Sequence, residues 1–256
     1  MSPRSDSIDF RPELDELCLF LDADGTLLDI VSTPDDVYAP QFLLSVLSEL
    51  HSKTGGALAI VSGRRVDDLD RIFAPLRLPA SGIHGAQVRR TPDGPILDAA
   101  VPDIPEAAAC AIREVTARHP GAFVEDKGKA MAVHWRAAQH LEAALWADLS
   151  ATLERVSPAL SVLHGHCVFE VKSSSLSKGD AVRAFMACAP FAGRTPVFIG
   201  DDVTDIAGMA AVKSFGGHAF SVDKRLEGAD DVFPSPSDVR AWLARLAGAN
   251  LEALRA

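Results

Sequence analysis

Short, continuously apolar runs recur along the chain, and each ends at a cluster of small polar or acidic residues. The runs at 17–21, 57–61 and 197–199 are followed by Asp-Ala-Asp-Gly, Ser-Gly-Arg and Gly-Asp-Asp, respectively. A short apolar run bounded by turn residues is typical of a strand that is buried on both faces. The sequence therefore predicts buried strands, each of which ends in a polar loop.

Helical periodicity fits the segments 40–51, 66–73, 178–188 and 203–211, so that helices and strands alternate. This alternation favours a doubly wound parallel sheet, a Rossmann-like architecture of the α/β class. In such sheets the ligand crevice lies beyond the carboxyl ends of the strands. The polar clusters after the three runs are therefore expected at the crevice.

The pattern changes between Pro102 and Lys172, where helix-like and strand-like segments follow one another in the order αββαββ. These segments are 104–118, 122–124, 131–135, 137–155, 160–163 and 167–171. The order suits a small antiparallel sheet with two helices on one face. We predict a core at 1–101 and 173–256, and an inserted, smaller α/β cap domain at 102–172. The tail at 237–256 is predicted to be helical and is assigned no chemistry.

Composition narrows the classes of function. The chain has 256 residues, and its hydrophobic content of 48% supports a substantial core. Its formal net charge is −10. Because the sequence has no long run of Lys and Arg, we expect neither nucleic acid nor an anionic membrane surface as a partner. It also lacks a signal-peptide-like stretch and any uncharged run near the roughly 18 residues that span a bilayer. A cytoplasmic location is predicted.

The four cysteines, Cys18, Cys110, Cys167 and Cys188, are scattered without the spacing of metal ligands. Cysteines in apolar runs behave as small hydrophobic residues, so we predict that all four are reduced core residues. The sequence does not decide the oligomeric state, and a monomer is one option.

Acidic residues are crowded after two of the apolar runs. Asp22 and Asp24 follow the first run, and Asp201, Asp202 and Asp205 follow the third. Neighbouring carboxylates repel each other unless a cation neutralises them, and a hard, oxygen-ligated ion such as Mg²⁺ would also bind phosphate oxygens. The alternatives are a simple turn for the first cluster and a helix cap for the second. Capping does not require three carboxylates, so metal binding is the favoured interpretation.

Two further residues suit phosphate. Ser62 closes the second run and is followed by Gly63, so that its hydroxyl and free backbone N–H groups can hold phosphate oxygens. Lys178 opens a predicted helix, where its ammonium group can offset the charge of a phosphate and a nucleophile. Each residue alone is a weak signal.

In this order, the four elements resemble the haloacid dehalogenase superfamily: Asp-x-Asp-Gly-Thr, then Ser, then Lys, then Gly-Asp-Asp-x-x-Asp. The resemblance implies that Asp22 is the nucleophile and Asp24 the general acid and base. It implies that Ser62 and Lys178 hold the phosphoryl group. A carboxylate can attack phosphorus once cations shield the charge between the two anions.

The same resemblance implies how Mg²⁺ is bound. Asp22, the backbone carbonyl of Asp24, and Asp201 would be its ligands. Asp202 and Asp205 would be additional ligands or would support the first three. The expected activity is a Mg²⁺-dependent phosphatase that works through an aspartyl-phosphate intermediate.

More specifically, the segments 19–27, 60–64, 83–86 and 200–205 resemble the trehalose-6-phosphate phosphatases. That resemblance implies a small sugar phosphate as the substrate, with Arg64 near its phosphate. It also implies a set of residues in the cap that contact the sugar, namely Glu125, Lys127, His134, Arg136 and Glu170. On an isolated sheet face the same residues would be read as solvated side chains.

This sequence departs from the family pattern at two positions. Ala23 stands where an aromatic residue is common, and Ile206 stands where an acidic residue usually follows Thr-Asp. The second departure argues against a ligand at position 206. His84 matches a family landmark, and its role is open between function and a buried structural turn.

Rival functions remain open. A phosphatase for another sugar phosphate, such as sucrose 6-phosphate or mannosyl phosphoglycerate, would share the core and the type of cap. A sugar phosphomutase would use the same aspartates but would protect its phosphoenzyme from water. A catalytically silent regulatory module of a glycosyltransferase is the alternative outside the enzymes, and the presence of Asp22, Asp24, Lys178 and Asp201 argues against it.

Overall fold

The computed structural model of the chain describes residues 10, 13–30, 37–165 and 167–249. The chain divides into two compact units, Met1–Leu97 with Lys178–Ala256 and Asp98–Ser177. The predicted boundaries, after residues 101 and 172, differ from these by a few residues. The assignment of the two units as a catalytic core and a specificity cap stays a prediction.

The regular elements are numbered in chain order. The strands are β1 (Leu17–Leu21), β2 (Leu58–Val61), β3 (Ala80–Gly82), β4 (Gln87–Arg89), β5 (Leu97–Asp98), β6 (Phe123–Asp126), β7 (Ala130–His134), β8 (Leu160–Gly165), β9 (Val168–Ser173), β10 (Thr195–Gly200), β11 (His218–Val222) and β12 (Asp231–Phe233). The helices are α1 (Gln41–Lys53), α2 (Val66–Ile72), α3 (Glu106–Ala117), α4 (Glu142–Val156), α5 (Lys178–Met186), α6 (Ile206–Ser214) and α7 (Pro236–Ala247). Among the described residues, none of these helices is both long and apolar enough to cross a membrane.

The larger sheet has the strand order β12-β11-β10-β1-β2-β3-β4-β5. Its strands from β12 to β3 pair in parallel, and β4 turns back antiparallel to β3. Side chains of β1 alternate between two hydrophobic clusters. Leu19 packs with α1, α2 and α7, whereas Phe20 packs with α5 and α6 on the other face. The predicted doubly wound parallel sheet is confirmed.

Asp98–Ser177 contains the elements in the predicted order αββαββ, with the sheet order β6-β7-β9-β8. All three strand pairs are antiparallel. Alternate residues such as Met131 and Phe169 join α3 and α4 in one hydrophobic cluster. The residues between them, such as Ala132 and Glu170, therefore lie on the opposite face of the sheet.

Several elements differ from the sequence-based expectations. The predicted helix 137–155 begins as a 3-10 turn at Arg136–Leu141, in which Ala138 leaves the helical region, and α4 follows it. The predicted helix 203–211 likewise begins as a 3-10 turn at Val203–Asp205. Five strands were not predicted, namely β3, β4, β5, β11 and β12. The end of the predicted helix 237–256 lies outside the described residues.

The cysteine prediction is correct only in part. All four cysteines are free, and Cys18 and Cys167 are buried. Burial raises the pKa of the Cys18 thiol to about 12, as expected for an inert core residue. Cys110, however, is exposed on α3, so its assignment to the core was wrong. The apolar run around it contains mostly small alanines, which fit the outer face of a helix as well as its inner face.

An ion pair joins helix α2 to strand β4 in the larger unit. Arg89 of β4 is 1% exposed, and its Nη1 and Nη2 donate to the two carboxylate oxygens of Asp70 at 2.5 Å each. Nη2 also donates to the carbonyl of Leu78 at 2.8 Å. Burial raises the pKa of Asp70, but the hydrogen bonds and charges of Arg89 and Arg77 outweigh it and hold the pKa below its usual value.

Replacing Asp70 by Asn should lower the free energy of unfolding by about 3 kcal/mol, because the buried guanidinium loses its counter-charge. Since folding lowers the pKa of Asp70, the contribution of the pair is present above the ordinary carboxyl pKa of about 4. It is lost as the pH falls through the lower pKa of the folded state. Urea unfolding from about pH 7 to about pH 3 measures both effects.

Asp93→Asn, at an exposed position of the same unit, is the control for Asp70→Asn and should change stability by less than about 0.5 kcal/mol. The effect of Asp70→Asn should shrink as the pH falls. An effect that is constant over the whole range would contradict the proposed contribution of the ion pair.

Candidate active site

A buried ion-pair chain lies at the carboxyl ends of β1 and β10. Asp22 directly follows β1, is 5% exposed, and accepts a hydrogen bond of 2.7 Å from Lys178 Nζ at Oδ1. Lys178, the first residue of α5, also donates to Asp205 Oδ1 at 2.6 Å. The predicted nucleophile and the predicted phosphate-binding lysine are therefore in direct contact.

Asp205 is fully buried, and both of its carboxylate oxygens are used inside the protein. Oδ1 accepts from Lys178, and Oδ2 accepts from the backbone N–H groups of Asp201 (3.0 Å) and Asp202 (2.9 Å). A Cβ atom on Gly200 would lie 2.3 Å from Asp205 Cγ, so only glycine fits where β10 ends. Asp205 therefore orients both the lysine and the loop that carries Asp201.

Asp202 performs the capping function that was the alternative to metal binding. Its Oδ1 accepts the N–H of Val203 at 2.7 Å, and together with Asp205 it forms a capping box. Its role as a metal ligand stays a prediction.

Three carboxylates converge in a way that suits a cation. Single ligand atoms of Asp22, Asp201 and Asp205 all lie within 4.8 Å of one another. Burial, followed by the negative charges of Asp205 and Asp201, raises the pKa of Asp22 well above its usual value, although Lys178 opposes this. Burial and Asp205 likewise raise the pKa of Asp201 to about 6.

Lys178 alone thus leaves the cluster short of positive charge. Burial lowers the pKa of Lys178, but the charges of Asp205 and Asp22 outweigh it and raise that pKa above its ordinary value. The lysine stays protonated and neutralises one of the three carboxylates. A divalent ion that prefers oxygen ligands fits the remaining charge, and the donor set is of the kind that Mg²⁺ takes.

The loop after β1 is packed closely against Asp201. Gly25 has a φ of +75°, and a Cβ atom there would lie 2.2 Å from Asp201 Oδ2. The buried hydroxyl of Thr26 donates to Asp201 Oδ1 at 3.3 Å. Thr26 is a site residue that was not predicted, although its place in the Asp-x-Asp-Gly-Thr motif was the available signal.

The predicted general acid, Asp24, pairs with Arg64. Arg64 Nε donates to Asp24 Oδ2 at 2.6 Å, and Nη2 donates to Oδ1 at 2.7 Å. The backbone N–H of Arg64 donates to the Ser62 hydroxyl at 3.2 Å. Ser62 is buried directly after β2. Parallel strands thus bring the two polar loops together at one edge of the sheet.

His84 lies in a strained, buried turn beside the Ser62 loop. Ile83 and His84 have φ values of +49° and +52°, in the left-handed region that favours glycine. The backbone N–H of His84 donates to the carbonyl of Ser62 at 3.1 Å. The turn thus supports the backbone of the Ser62 loop.

The polar face of the smaller sheet carries one ion pair and one hydrogen-bonded pair of a histidine and a glutamate. Lys127 Nζ donates to Glu170 Oε1 at 2.9 Å, and both residues are buried. His134 Nε2 and Glu125 Oε2 are 2.9 Å apart. The hydrogen bond with His134 lowers the pKa of Glu125 more than burial raises it, and Lys127 adds to the lowering.

Strand register accounts for this grouping. Glu125 pairs with Ala132 across β6 and β7, and Ala132 pairs with Glu170 across β7 and β9, so the two carboxylates flank one small residue. Arg136 begins the 3-10 turn after β7 and takes part in neither the Lys127–Glu170 nor the His134–Glu125 contact. The structure thus brings together four of the five predicted sugar-binding residues.

A doubly wound α/β sheet with a buried Asp after its first strand, a buried Lys at the start of a helix and further acidic residues after a second strand has the features of the haloacid dehalogenase superfamily. The chain matches the family described as Trehalose-phosphatase over residues 20–228. A probable trehalose-phosphate phosphatase of Sinorhizobium fredii is 40% identical over 241 residues, which is 93% of this chain and 91% of that protein.

The trehalose-6-phosphate phosphatase of Escherichia coli is likewise 40% identical over 234 residues, which is 91% of this chain and 87% of that protein. The solved structure of the C-terminal domain of a C. albicans trehalose-6-phosphate phosphatase matches with a TM-score of 0.83, covering 92% of this chain and 93% of that one. Its sequence identity of 21% makes this a likeness of fold. The chain belongs to the trehalose-phosphatase family, which confirms the resemblance noted from its motifs.

Gly25→Ala should abolish the hydrolysis of p-nitrophenyl phosphate, a generic substrate, because the added methyl group displaces the Asp201 carboxylate. Gly216→Ala is the matched control, since Gly216 also has a φ of +75° but nothing lies within 4 Å of an added Cβ. Both variants should lose about 1 kcal/mol of stability through backbone strain. Only Gly25→Ala should lose activity, and equal activities in the two variants would contradict the role given to this close contact.

Proposed function

We propose that the chain hydrolyses trehalose 6-phosphate to trehalose and inorganic phosphate. The observation that carries the proposal is the buried contact of Lys178 with Asp22 and Asp205 at the end of β1. The names of the relatives at 40% identity supply the substrate. A cytoplasmic location, a monomeric state and the absence of nucleic-acid or membrane partners stay predictions.

In the proposed reaction, a carboxylate oxygen of Asp22 attacks phosphorus and the bond from phosphorus to the sugar oxygen breaks. Asp24 gives its proton to the departing oxygen, so that trehalose leaves as a neutral alcohol. Asp24 then takes a proton from water, which attacks the aspartyl phosphate and releases phosphate. Lys178 and Ser62 hold the phosphoryl oxygens throughout, and the charge of Lys178 reduces repulsion between the two anions.

The acidic cluster fits Mg²⁺, with Asp22, Asp201 and the backbone carbonyl of Asp24 as the proposed ligands. Bound there, the ion would supply positive charge between the Asp22 carboxylate and the phosphate. Asp205 already uses both oxygens in hydrogen bonds, so its proposed role is to position Lys178 and Asp201. Asp202 is proposed to support the same loop.

Sugar recognition is proposed for Glu125, Lys127, His134, Arg136 and Glu170 on the smaller unit. Their carboxylate, ammonium, imidazole and guanidinium groups supply both donors and acceptors for sugar hydroxyls. Arg64 is proposed to bind the phosphate. A different arrangement of hydroxyls, as in sucrose 6-phosphate, would use the same phosphate site, so the smaller unit decides between these substrates.

The proposed activity is tested by phosphate release from a panel containing trehalose 6-phosphate, sucrose 6-phosphate and mannosyl phosphoglycerate. We expect the highest kcat/KM for trehalose 6-phosphate, complete loss of activity in EDTA, and recovery with Mg²⁺ but poor recovery with Ca²⁺. Asp22→Asn should lower kcat by about 1,000-fold or more, because the nucleophile is removed. Asp67→Asn, at an exposed position of the same unit, is the control and should keep the kcat of the wild type.

Four outcomes would overturn parts of this proposal. Full turnover in excess chelator would exclude the metal. Appreciable activity of Asp22→Asn would move the nucleophile to another residue. Transfer of phosphate between sugars without release would indicate the phosphomutase, and an inactive but folded chain would indicate the regulatory module.

Glu170→Gln should lower kcat/KM for trehalose 6-phosphate by about 100-fold, because Lys127 loses its charged partner and a sugar hydroxyl its acceptor. Hydrolysis of p-nitrophenyl phosphate should change little, since that substrate has no sugar. Glu154→Ala on the exposed surface of α4 is the control and should leave both activities intact. A parallel fall of both activities in Glu170→Gln would assign Glu170 to folding or chemistry instead of recognition.

A further inference from the structure

The pairing of Arg64 with Asp24 occupies both oxygens of the proposed general acid. The two hydrogen bonds, of 2.6 and 2.7 Å, have the bidentate geometry in which guanidinium binds a carboxylate most strongly. The side chain of Arg64 is 16% exposed and that of Asp24 is 38% exposed. The pair is thus accessible from solvent and is not part of the packed core.

This pairing conflicts with the role proposed for Asp24. To give a proton to the leaving oxygen and later take one from water, Asp24 must present at least one free carboxylate oxygen to the substrate. A bidentate arginine holds both oxygens. The fork takes one lone pair of each oxygen and fixes the plane of the carboxylate, so Asp24 can turn towards the substrate only when at least one of the two hydrogen bonds breaks.

The backbone of Arg64 is fixed while its side chain is long enough to change partners. Its carbonyl accepts the N–H of Ile83 at 2.9 Å, and its N–H donates to the hydroxyl of Ser62 at 3.2 Å. Arg64 is thus anchored two residues after Ser62, whose hydroxyl is proposed to hold the phosphoryl group. A phosphate dianion there would offer Arg64 a second bidentate partner with more charge than a carboxylate.

We infer that Arg64 exchanges partners, leaving the Asp24 carboxylate for the substrate phosphate, and that this exchange frees Asp24 for proton transfer. The inference rests on the proposed function. It makes Arg64 a positioning residue for Asp24 as well as a ligand of the phosphate. It also ties the availability of the general acid to the arrival of a phosphate group.

The exchange predicts competition between Asp24 and phosphate for Arg64, which binding of inorganic phosphate can measure without turnover. Isothermal titration calorimetry in the presence of Mg²⁺ would compare the wild type, Asp24→Asn, Arg64→Gln and the double variant. Asp24→Asn should bind phosphate about fivefold more tightly than the wild type, because the amide no longer holds the guanidinium. Arg64→Gln alone should bind it more weakly.

The double variant separates exchange from simple charge removal. Removing the negative charge of Asp24 should strengthen phosphate binding whether position 64 is Arg or Gln. Releasing Arg64 from Asp24 can strengthen it only where Arg64 is present. In the Arg64→Gln background, Asp24→Asn should therefore tighten phosphate binding by less than about twofold. Arg64→Lys is a second background, since lysine keeps the charge but cannot bind two carboxylate oxygens as a fork, and the gain should be small there as well.

Equal gains from Asp24→Asn in all three backgrounds, or weaker binding in Asp24→Asn, would overturn the exchange. Neither result would affect the proposed function. Failure of the folded wild type to release phosphate from trehalose 6-phosphate would overturn the proposed function itself. Circular dichroism of each variant confirms that differences in binding arise from folded protein.

Discussion

A single buried ammonium group holds the acidic centre together. Lys178 Nζ lies 2.7 Å from Asp22 and 2.6 Å from Asp205, and it thereby joins the end of β1, the start of α5 and the loop after β10. Removing such charges from water is costly, and the cost is offset only where partners are close and fully hydrogen-bonded. Asp205 meets this requirement, with one lysine and two backbone N–H groups on its two oxygens.

The environment of Lys178 also sets the pKa of the neighbouring carboxylates. Burial is the main cause of the raised pKa of Asp22 and Asp201, and the charges of the neighbouring carboxylates, which share one ammonium group, raise both further. A centre of this kind favours a divalent cation, whose positive charge would also attract a phosphate. On the polar face of the smaller sheet, by contrast, Lys127 and Glu170 form a one-to-one ion pair in which the two charges neutralise each other. The acidic centre of the larger unit thus retains charge, whereas the Lys127–Glu170 pair of the smaller unit is neutral as a whole.

Much of the fold followed from sequence patterns. The runs at 17–21 and 57–61 form buried strands, because a strand with apolar side chains on both faces is stable where helices cover both faces of its sheet. The αββαββ order also emerged from local periodicity. The strands β3, β5 and β12 escaped prediction because two or three residues carry no readable period, and their pairing depends on neighbours distant in the chain. Cys110 was misplaced because small residues suit either face of a helix.

Sequence patterns were enough to predict which acidic residues gather at the site, because parallel strands end at one edge of the sheet and the acidic motifs follow those ends. They also determined the family, through the spacing of four motifs. The partners of each carboxylate could be read only from the folded chain: Asp205 binds Lys178, Asp202 caps a helical turn and Asp24 pairs with Arg64. These contacts join residues far apart in the chain, and a hydrogen bond depends on distances and angles that only the packed fold sets.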